Sequence, residues 1–227
     1  MNSLIASTTI VIPAFNASHS LSELVTRLRN VLPEVSILVV DDGSTDDTAA
    51  IAEQCDATVV RHSINKGKGT ALQTGFDFVL QHNSAKYILM LDADLQHLPE
   101  DAPKFFEKLQ QTNADVIVGW RQRVGTTMPM HRRMSNALTS FLVSTRTGIV
   151  IRDSQCGYRL IERKVIEQVK LETAGFEAET EFLIKAAKRK FKIEFVPIQT
   201  VYGDEKSYMT HWKTTKNFAK VLFRDWI

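Results

Sequence analysis

Read for its apolar positions, the first half of the chain keeps a steady beat. Short runs rich in β-branched residues alternate with stretches in which apolar residues recur every three or four positions, the signatures of buried strands and amphipathic helices. TTIVIP, SILVV, ATVVR, YILML and DVIVG read as five strands. Between them, Leu21, Leu24, Val25 and Leu28 share one face of a helix that S-L-S-E at Ser20 would open as a capping box. TDDTAAIAEQC follows as a helix capped by Ser44 with Asp47, then TALQTGFDFVLQ, and Pro99 is placed to start one through about Gln110.

Strands in alternation with helices predict a single α/β domain, a mostly parallel sheet with helices on both faces. In such sheets ligands collect at the carboxyl ends of the strands. PAFN, DDGS, NKGKG, DADLQ and GWRQR each follow a predicted strand, so five polar ends converge on one edge.

From about Gly125 the beat breaks. MPMHRRMSNALTSFLV reads as a basic loop entering a helix, DSQCGYRLI as a turn and strand, FEAETEFLIKAAKRK as a helix and KIEFVPI as a last strand. From Lys206 to Arg224 there are five Lys or Arg residues and no acid. On a helical wheel Trp212, Ala219, Leu222, Phe223 and Trp226 share a side beside Lys213, Lys216, Lys220 and Arg224, a pattern suited to a membrane interface or to docking on the core. The division expected is a catalytic domain over 1–205 and a basic amphipathic helix over 206–227.

Composition narrows the classes. A chain of 227 residues with 44% hydrophobic and 24% charged residues can bury a full core. A formal charge of +2 gives no reason to expect nucleic acid as partner. Cys55 and Cys156 stand alone, with neither zinc spacing nor a CxxC partner, which suits a reducing compartment. No apolar run approaches the ~20 residues that span a bilayer. The start lacks a basic n-region, so no signal peptide is expected. The expected location is the cytoplasm, with room for peripheral contact at the inner membrane face.

The most informative chemistry lies in LDADLQ. If the chain stays extended past the fourth strand, Asp92, Asp94 and Gln96 face one side. Two carboxylates and an amide oxygen suit Mg²⁺ or Mn²⁺ and leave positions for phosphate oxygens. An EF-hand is excluded, because its sixth and twelfth positions would be His97 and Pro103. A haloacid-dehalogenase-like phosphatase also shows D-x-D after a strand, but on an early strand and with a different following residue. Asp41 and Asp42 end the second strand, where acids can receive base or ribose hydrogens, or simply form a turn and cap. NKGKG is neither G-x-G-x-x-G, since Leu72 fills the last position, nor a Walker A loop.

Taken in order, VIPAFN, VDDGSTDDT, NKGKGTALQTG and LDADLQHLPED resemble the nucleotide-sugar half of family-2 glycosyltransferases of GT-A fold. DSQCGYRLI and FEAETEF are similar to the branch containing dolichol-phosphate mannose synthase and bacterial polyprenyl-phosphate glycosyltransferases. Ala17 stands where that family often has glutamate. The resemblance implies an inverting, metal-dependent transfer from a UDP- or GDP-sugar to a lipid phosphate, or alternatively to a saccharide or protein hydroxyl. A nucleotide-sugar binder without catalysis is a further alternative.

By resemblance, Pro13, Ala14, Asn16 and Asp42, aided by Asp41, line the nucleoside pocket, with Lys66 and Gly69 beside it. Asp92 and Asp94 bracket metal and diphosphate, and Gln96 adds a ligand. Arg121 would assist the leaving group. Arg132, Arg133, Ser135, Arg159 and Lys206 are the candidates for the acceptor phosphate. Glu179, then Glu181 or Asp153, would serve as base for a hydroxyl acceptor; an ionised phosphate needs none.

Overall fold

The computed structural model describes residues 1–121, 130–201 and 211–224, without the side chains of 130–132 and 211–216. The five expected strands form: β1 (Thr8–Ala14), β2 (Ser36–Asp41), β3 (Thr58–Arg61), β4 (Tyr87–Met90) and β5 (Val116–Arg121). Two more follow, β6 (Arg159–Glu162) and β7 (Ile193–Ile198), in one seven-stranded sheet of order β3-β2-β1-β4-β6-β5-β7. β1 pairs in parallel with β2 and β4, β2 with β3, and β5 with β7. β6 alone runs antiparallel, against both β4 and β5.

That reversal positions the site. Arg159 opens β6 opposite Met90 near the end of β4 and opposite Val118 in β5. The loop before β6 therefore sits at the same edge as the exits of the parallel strands. After β7 the chain also returns there, with the Val201 amide donating to the Gln96 carbonyl at 3.0 Å and the Gln199 amide to Asp101 Oδ2 at 2.7 Å.

The helices are α1 (Asn2–Ala6), α2 (Ser18–Val31), α3 (Thr48–Gln54), α4 (Lys68–His82), α5 (Ala102–Thr112), α6 (Met130–Thr147), α7 (Arg163–Gln168), α8 (Ala178–Lys188) and α9 (His211–Phe223). The expected stripe of α2 is buried, including Leu21, Leu24, Val25 and Leu28. Its start differs from the capping-box reading. The helix begins at Ser18 with Ala17 as N-cap and no side-chain cap bond, and the Ser20 hydroxyl instead donates to the Ala93 carbonyl at 2.7 Å. The cap of α3 shifts likewise: Asp47 makes no cap bond, and Asp46 accepts from the Thr48 amide and from the Ser18 amide, both at 3.1 Å. Short α1 and α7 lack a full helical period and were not expected.

α9 docks through Phe218, Val221 and Leu222, which are buried, while Ala219 and Phe223 are exposed. The wheel grouping of Ala219 with Leu222 and Phe223 is thus corrected, since the core takes a face rotated toward Phe218 and Val221. Trp226 lies outside the described residues, as do the side chains of Trp212, Lys213 and Lys216. Among the described residues no helix is long and apolar enough to cross a membrane.

Candidate active site

β4 ends at Met90, and the chain does not stay extended. Ala93 and Asp94 form a turn, Leu95 takes φ 58°, and Asp94 Oδ1 accepts the Gln96 amide at 3.0 Å. The alternation argument for Asp92, Asp94 and Gln96 therefore fails, and the two carboxylates instead flank a side-chain-closed turn. Both remain partly accessible at the strand exit. Their hard oxygens, with the Gln96 amide, fit a divalent cation that also takes phosphate oxygens. Among the described residues no three His, Cys, Asp or Glu side chains are preassembled as ligands.

Asp92 is held by Lys68, whose Nζ lies 2.5 Å from Asp92 Oδ1 and 2.5 Å from Glu179 Oε1. Burial favours the neutral form of Asp92, but the cations Lys68 and Arg121 outweigh it and hold the carboxyl below its ordinary range. Burial also opposes the charge on Lys68, and the two carboxylates more than reverse that. Gly157 is needed beside Asp92, because a Cβ there would come 2.9 Å from Asp92 Oδ2. His97 is buried, with Nε2 3.8 Å from Cys156 Sγ. Burial lowers its pKa to about 4, so the ring is neutral at physiological pH, and burial pushes the Cys156 thiol up to about 12.

Of the two lysines in NKGKG, it is Lys68 rather than the expected Lys66 whose side chain enters the site. The Lys66 side chain is exposed, and its backbone amide donates to Asp42 Oδ1 at 2.9 Å. Asp42 also takes the Gly67 amide at 2.7 Å on Oδ2 and His62 Nδ1 at 2.6 Å. It organises the NKGKG turn from inside. Asp41 is fully buried, accepts the Ser44 amide at 2.9 Å and lies 3.0 Å from Arg61 Nε. Asn16, at φ 51°, accepts the Thr45 amide at 2.9 Å, and the Ala14 carbonyl accepts the Asp42 amide at 2.8 Å. Pro13, next to last in the same strand, is only partly covered. Gly69 is buried, its amide donating to the Ala174 carbonyl at 2.7 Å, and a Cβ would fall 2.1 Å from the Thr173 carbonyl. Its lack of a side chain lets α4 meet the loop before α8.

Across the site, Arg121 grips Asp153 with both arms, Nε to Oδ2 at 2.7 Å and Nη2 to Oδ1 at 2.9 Å. Although burial opposes it, this guanidinium keeps the Asp153 carboxyl below its usual range. Arg159 is fully buried, and its guanidinium donates to the carbonyls of Cys156, Glu179 and Ser154. Its assignment to the acceptor phosphate is corrected on that ground: no solvent-facing donor is left to present. Glu179 and Glu181 are buried rather than a solvated face. Glu181 accepts the Glu172 and Thr173 amides and pairs with Lys185 at 2.6 Å, so it holds the 171–177 loop. Arg133 and Ser135 lie on α6 with Arg133 partly and Ser135 fully accessible. The Arg132 side chain and Lys206 lie outside the described residues.

The carboxyl edge of the sheet thus gathers an Asp turn, an acid-braced loop pair and a lysine shared between two carboxylates, where ligands of open α/β sheets bind. Residues 9–170 match the model of glycosyl transferase family 2. The chain belongs to that family, which sets the phosphatase alternative aside. It is 34% identical to an uncharacterized protein of Methanocaldococcus jannaschii, over 94% of this chain and 98% of that one. It is 32% identical to polyprenol monophosphomannose synthase of Mycolicibacterium smegmatis, over 84% of this chain and 76% of that one. Its fold is that of glucosyl-3-phosphoglycerate synthase from Mycobacterium tuberculosis, solved with Mn²⁺, UDP-glucose and phosphoglyceric acid. There the TM-score is 0.77 at 19% identity, covering 98% of this chain and 82% of that one.

Proposed function

We propose that this family-2 glycosyltransferase is an inverting, divalent-metal-dependent enzyme that moves a sugar from a nucleoside-diphosphate sugar to a polyprenyl phosphate. The observation that carries the reading is the Asp92–Asp94 turn at the carboxyl edge of the sheet, facing Glu179 through Lys68. Asp92, Asp94 and Gln96 would hold Mg²⁺ or Mn²⁺, which supplies Lewis-acid stabilisation of the departing diphosphate when bound. Pro13, Ala14, Asn16, Asp41 and Asp42 shape the wall offered to the nucleoside, and Arg121 adds positive charge on the opposite side.

Glu179 supports the acceptor class. Its carboxylate is tied to an ammonium at 2.5 Å, a poor arrangement for a base that must strip a hydroxyl. A phosphate is already ionised and attacks the anomeric carbon on the face opposite the leaving group, giving inversion. Arg133 and Ser135, accessible on α6, are the groups that would meet it.

A lipid acceptor also needs the protein at a membrane surface, and α6 offers one. Met134, Leu138 and Phe141 are exposed at 68%, 59% and 67%, spaced to share one face, and Val150 just beyond is 77% exposed. From Met130 to Arg152 there are four arginines and no acid. An apolar stripe framed by cations fits an anionic bilayer interface, as does the similarity to a polyprenol-dependent synthase.

A panel of nucleoside diphosphates and their sugars with Mn²⁺, read by thermal shift, tests the donor side. Transfer of radiolabelled sugar from the stabilising donor to a short-chain polyprenyl phosphate, with inverted anomeric configuration, tests the rest. Transfer to saccharide hydroxyls and none to lipid phosphate would overturn the acceptor assignment.

A further inference from the structure

Lys68 is the single described side chain that the ion-pair geometry places in contact with acids from both halves of the sheet. Its side chain is 14% exposed, and its ammonium also sits 5.6 Å from the Phe176 ring. The backbone around it is pinned on each side, the Gly67 amide by Asp42 and the Gly69 amide by Ala174. Only the four-carbon stem is left to move. Its partner Asp92 presents one oxygen to the ammonium and keeps the other against Gly157.

We propose that Lys68 is an internal counter-ion that occupies Asp92 in the ligand-free protein and yields it to the divalent cation, retaining Glu179 and the Phe176 face as its seat. The inference rests on the reading of Asp92 as a metal ligand. A monovalent and a divalent cation cannot both stand against the same carboxylate oxygen without strong repulsion, so one excludes the other. Glu179 makes the exchange feasible, because an ammonium that leaves Asp92 is not stranded without an anion in a poorly hydrated place. The exchange also breaks the link between α4 and the β4 exit while keeping the link between α4 and α8. Filling the donor site would thereby free the Asp turn from the acceptor side. It would also make empty-site affinity for the metal low and nucleotide-dependent, since the diphosphate helps to displace the ammonium.

The test uses the full chain and Mn²⁺ alone, titrated without nucleotide and followed by the electron paramagnetic resonance of the free ion. Lys68→Met should bind Mn²⁺ about tenfold tighter than the native protein, because a like charge at contact distance has gone. Lys68→Arg should stay near native affinity. In thermal unfolding without metal Lys68→Met should melt lower than native, and Mn²⁺ should raise its midpoint by more than it raises the native one. The double variant Lys68→Met with Glu179→Gln removes the buried Glu179 charge and leaves only the partly accessible Asp92 without its ammonium, which limits misfolding; it should still bind Mn²⁺ more tightly. Equal or weaker binding by a folded Lys68→Met and by the double variant overturns the proposal. Asp92→Asn separates the two claims. If it loses Mn²⁺ while the Lys68 variants bind as native, the counter-ion idea alone falls; if it binds as native, the metal assignment falls first.

Discussion

On the side of the sheet formed by β1 to β4, carboxylates and an amide work on backbone amides. Asp42 closes the NKGKG turn, Asp46 the start of α3, Asn16 the DDGS loop and Asp94 its own turn. On the side formed by β5 to β7 the same task falls to buried cations and a buried acid. Arg159 gathers three carbonyls, and Glu181 with Lys185 anchors the loop before α8. Two of these bonds close turns two residues away, while those of Asp42 and Asn16 join segments 24 to 29 residues apart in sequence, and together they leave loops preshaped for a polar ligand. The buried charges on this side work over 3 to 20 residues and stiffen a wall whose outer face, α6, carries exposed apolar side chains. The contrast suits a donor that is small and highly charged and an acceptor that is long and greasy.

The largest expected effect tests the donor half of that contrast. Asp94→Ala removes both a carboxylate of the proposed metal site and the acceptor of the Gln96 amide. Transfer should fall by about 10³-fold, in line with losing a principal electrostatic stabiliser, and calorimetry should show no Mn²⁺-dependent nucleotide binding. Unchanged nucleotide affinity would remove Asp94 from the site.

Next comes the acceptor-side post. Arg159→Met leaves three carbonyls without their donor in a fully buried place. A loss of about 3 kcal/mol is expected, which in a chain of this size lowers the melting midpoint by about 8 °C. A native midpoint with selective loss of acceptor binding would instead restore Arg159 as a phosphate ligand.

How much of this could be read in the residues alone divides along the same line. The first five strands announce themselves by β-branched runs between helical periods, and the polar ends follow from the parallel-sheet rule. β6 is four residues long, and nothing in RLIE states that it runs antiparallel; only the pairing with β4 and β5 does. Arg159, Glu181 and Lys68 were misjudged for a common reason. A charged residue reads as surface or ligand until its partner is known: Lys68 pairs with acids far away in sequence, and Arg159 and Glu181 bond backbone groups within 20 residues that no spacing rule announces. Lys68 carried one usable signal: as the first residue of a helix after a glycine turn, it is rooted at the strand-exit edge, whereas Lys66 lies inside the turn.

The Arg121–Asp153 pair sharpens the comparison through pH. With its pKa depressed in the folded protein, Asp153 adds stability that is complete above its unfolded value of about 4 and is lost as pH falls through the folded value. Unfolding free energies from urea titrations of native protein and Asp153→Asn should differ most near pH 6, by about 2 kcal/mol, and converge as pH falls below the folded value. A gap independent of pH would mean that the loss is one of packing.

A smaller effect is expected at the apolar wall. Replacing Met134, Leu138 and Phe141 by serine should lower binding to vesicles with anionic lipid by about tenfold, with little change on neutral vesicles or in melting midpoint. Truncation of 206–227 provides the contrast. The described face of α9 is spent on the core through Phe218, Val221 and Leu222, so that loss should appear chiefly as instability. Equal binding by the triple variant would return the membrane contact to the tail.

The smallest change separates two lysines that sit two residues apart. Lys66 gives its backbone amide to Asp42, a bond that any non-proline residue can make, and its side chain lies in solvent. Lys66→Ala should therefore leave nucleotide affinity and melting midpoint within about twofold and about 0.5 kcal/mol of native, as surface changes do. Lys68, rooted at the next amide pair, faces inward onto Asp92 and Glu179. Should Lys66→Ala weaken nucleotide binding tenfold in calorimetry, its side chain would have to fold over the bound diphosphate. The donor edge would then close around its ligand rather than stand preshaped, and the contrast with the stiff acceptor wall would be lost.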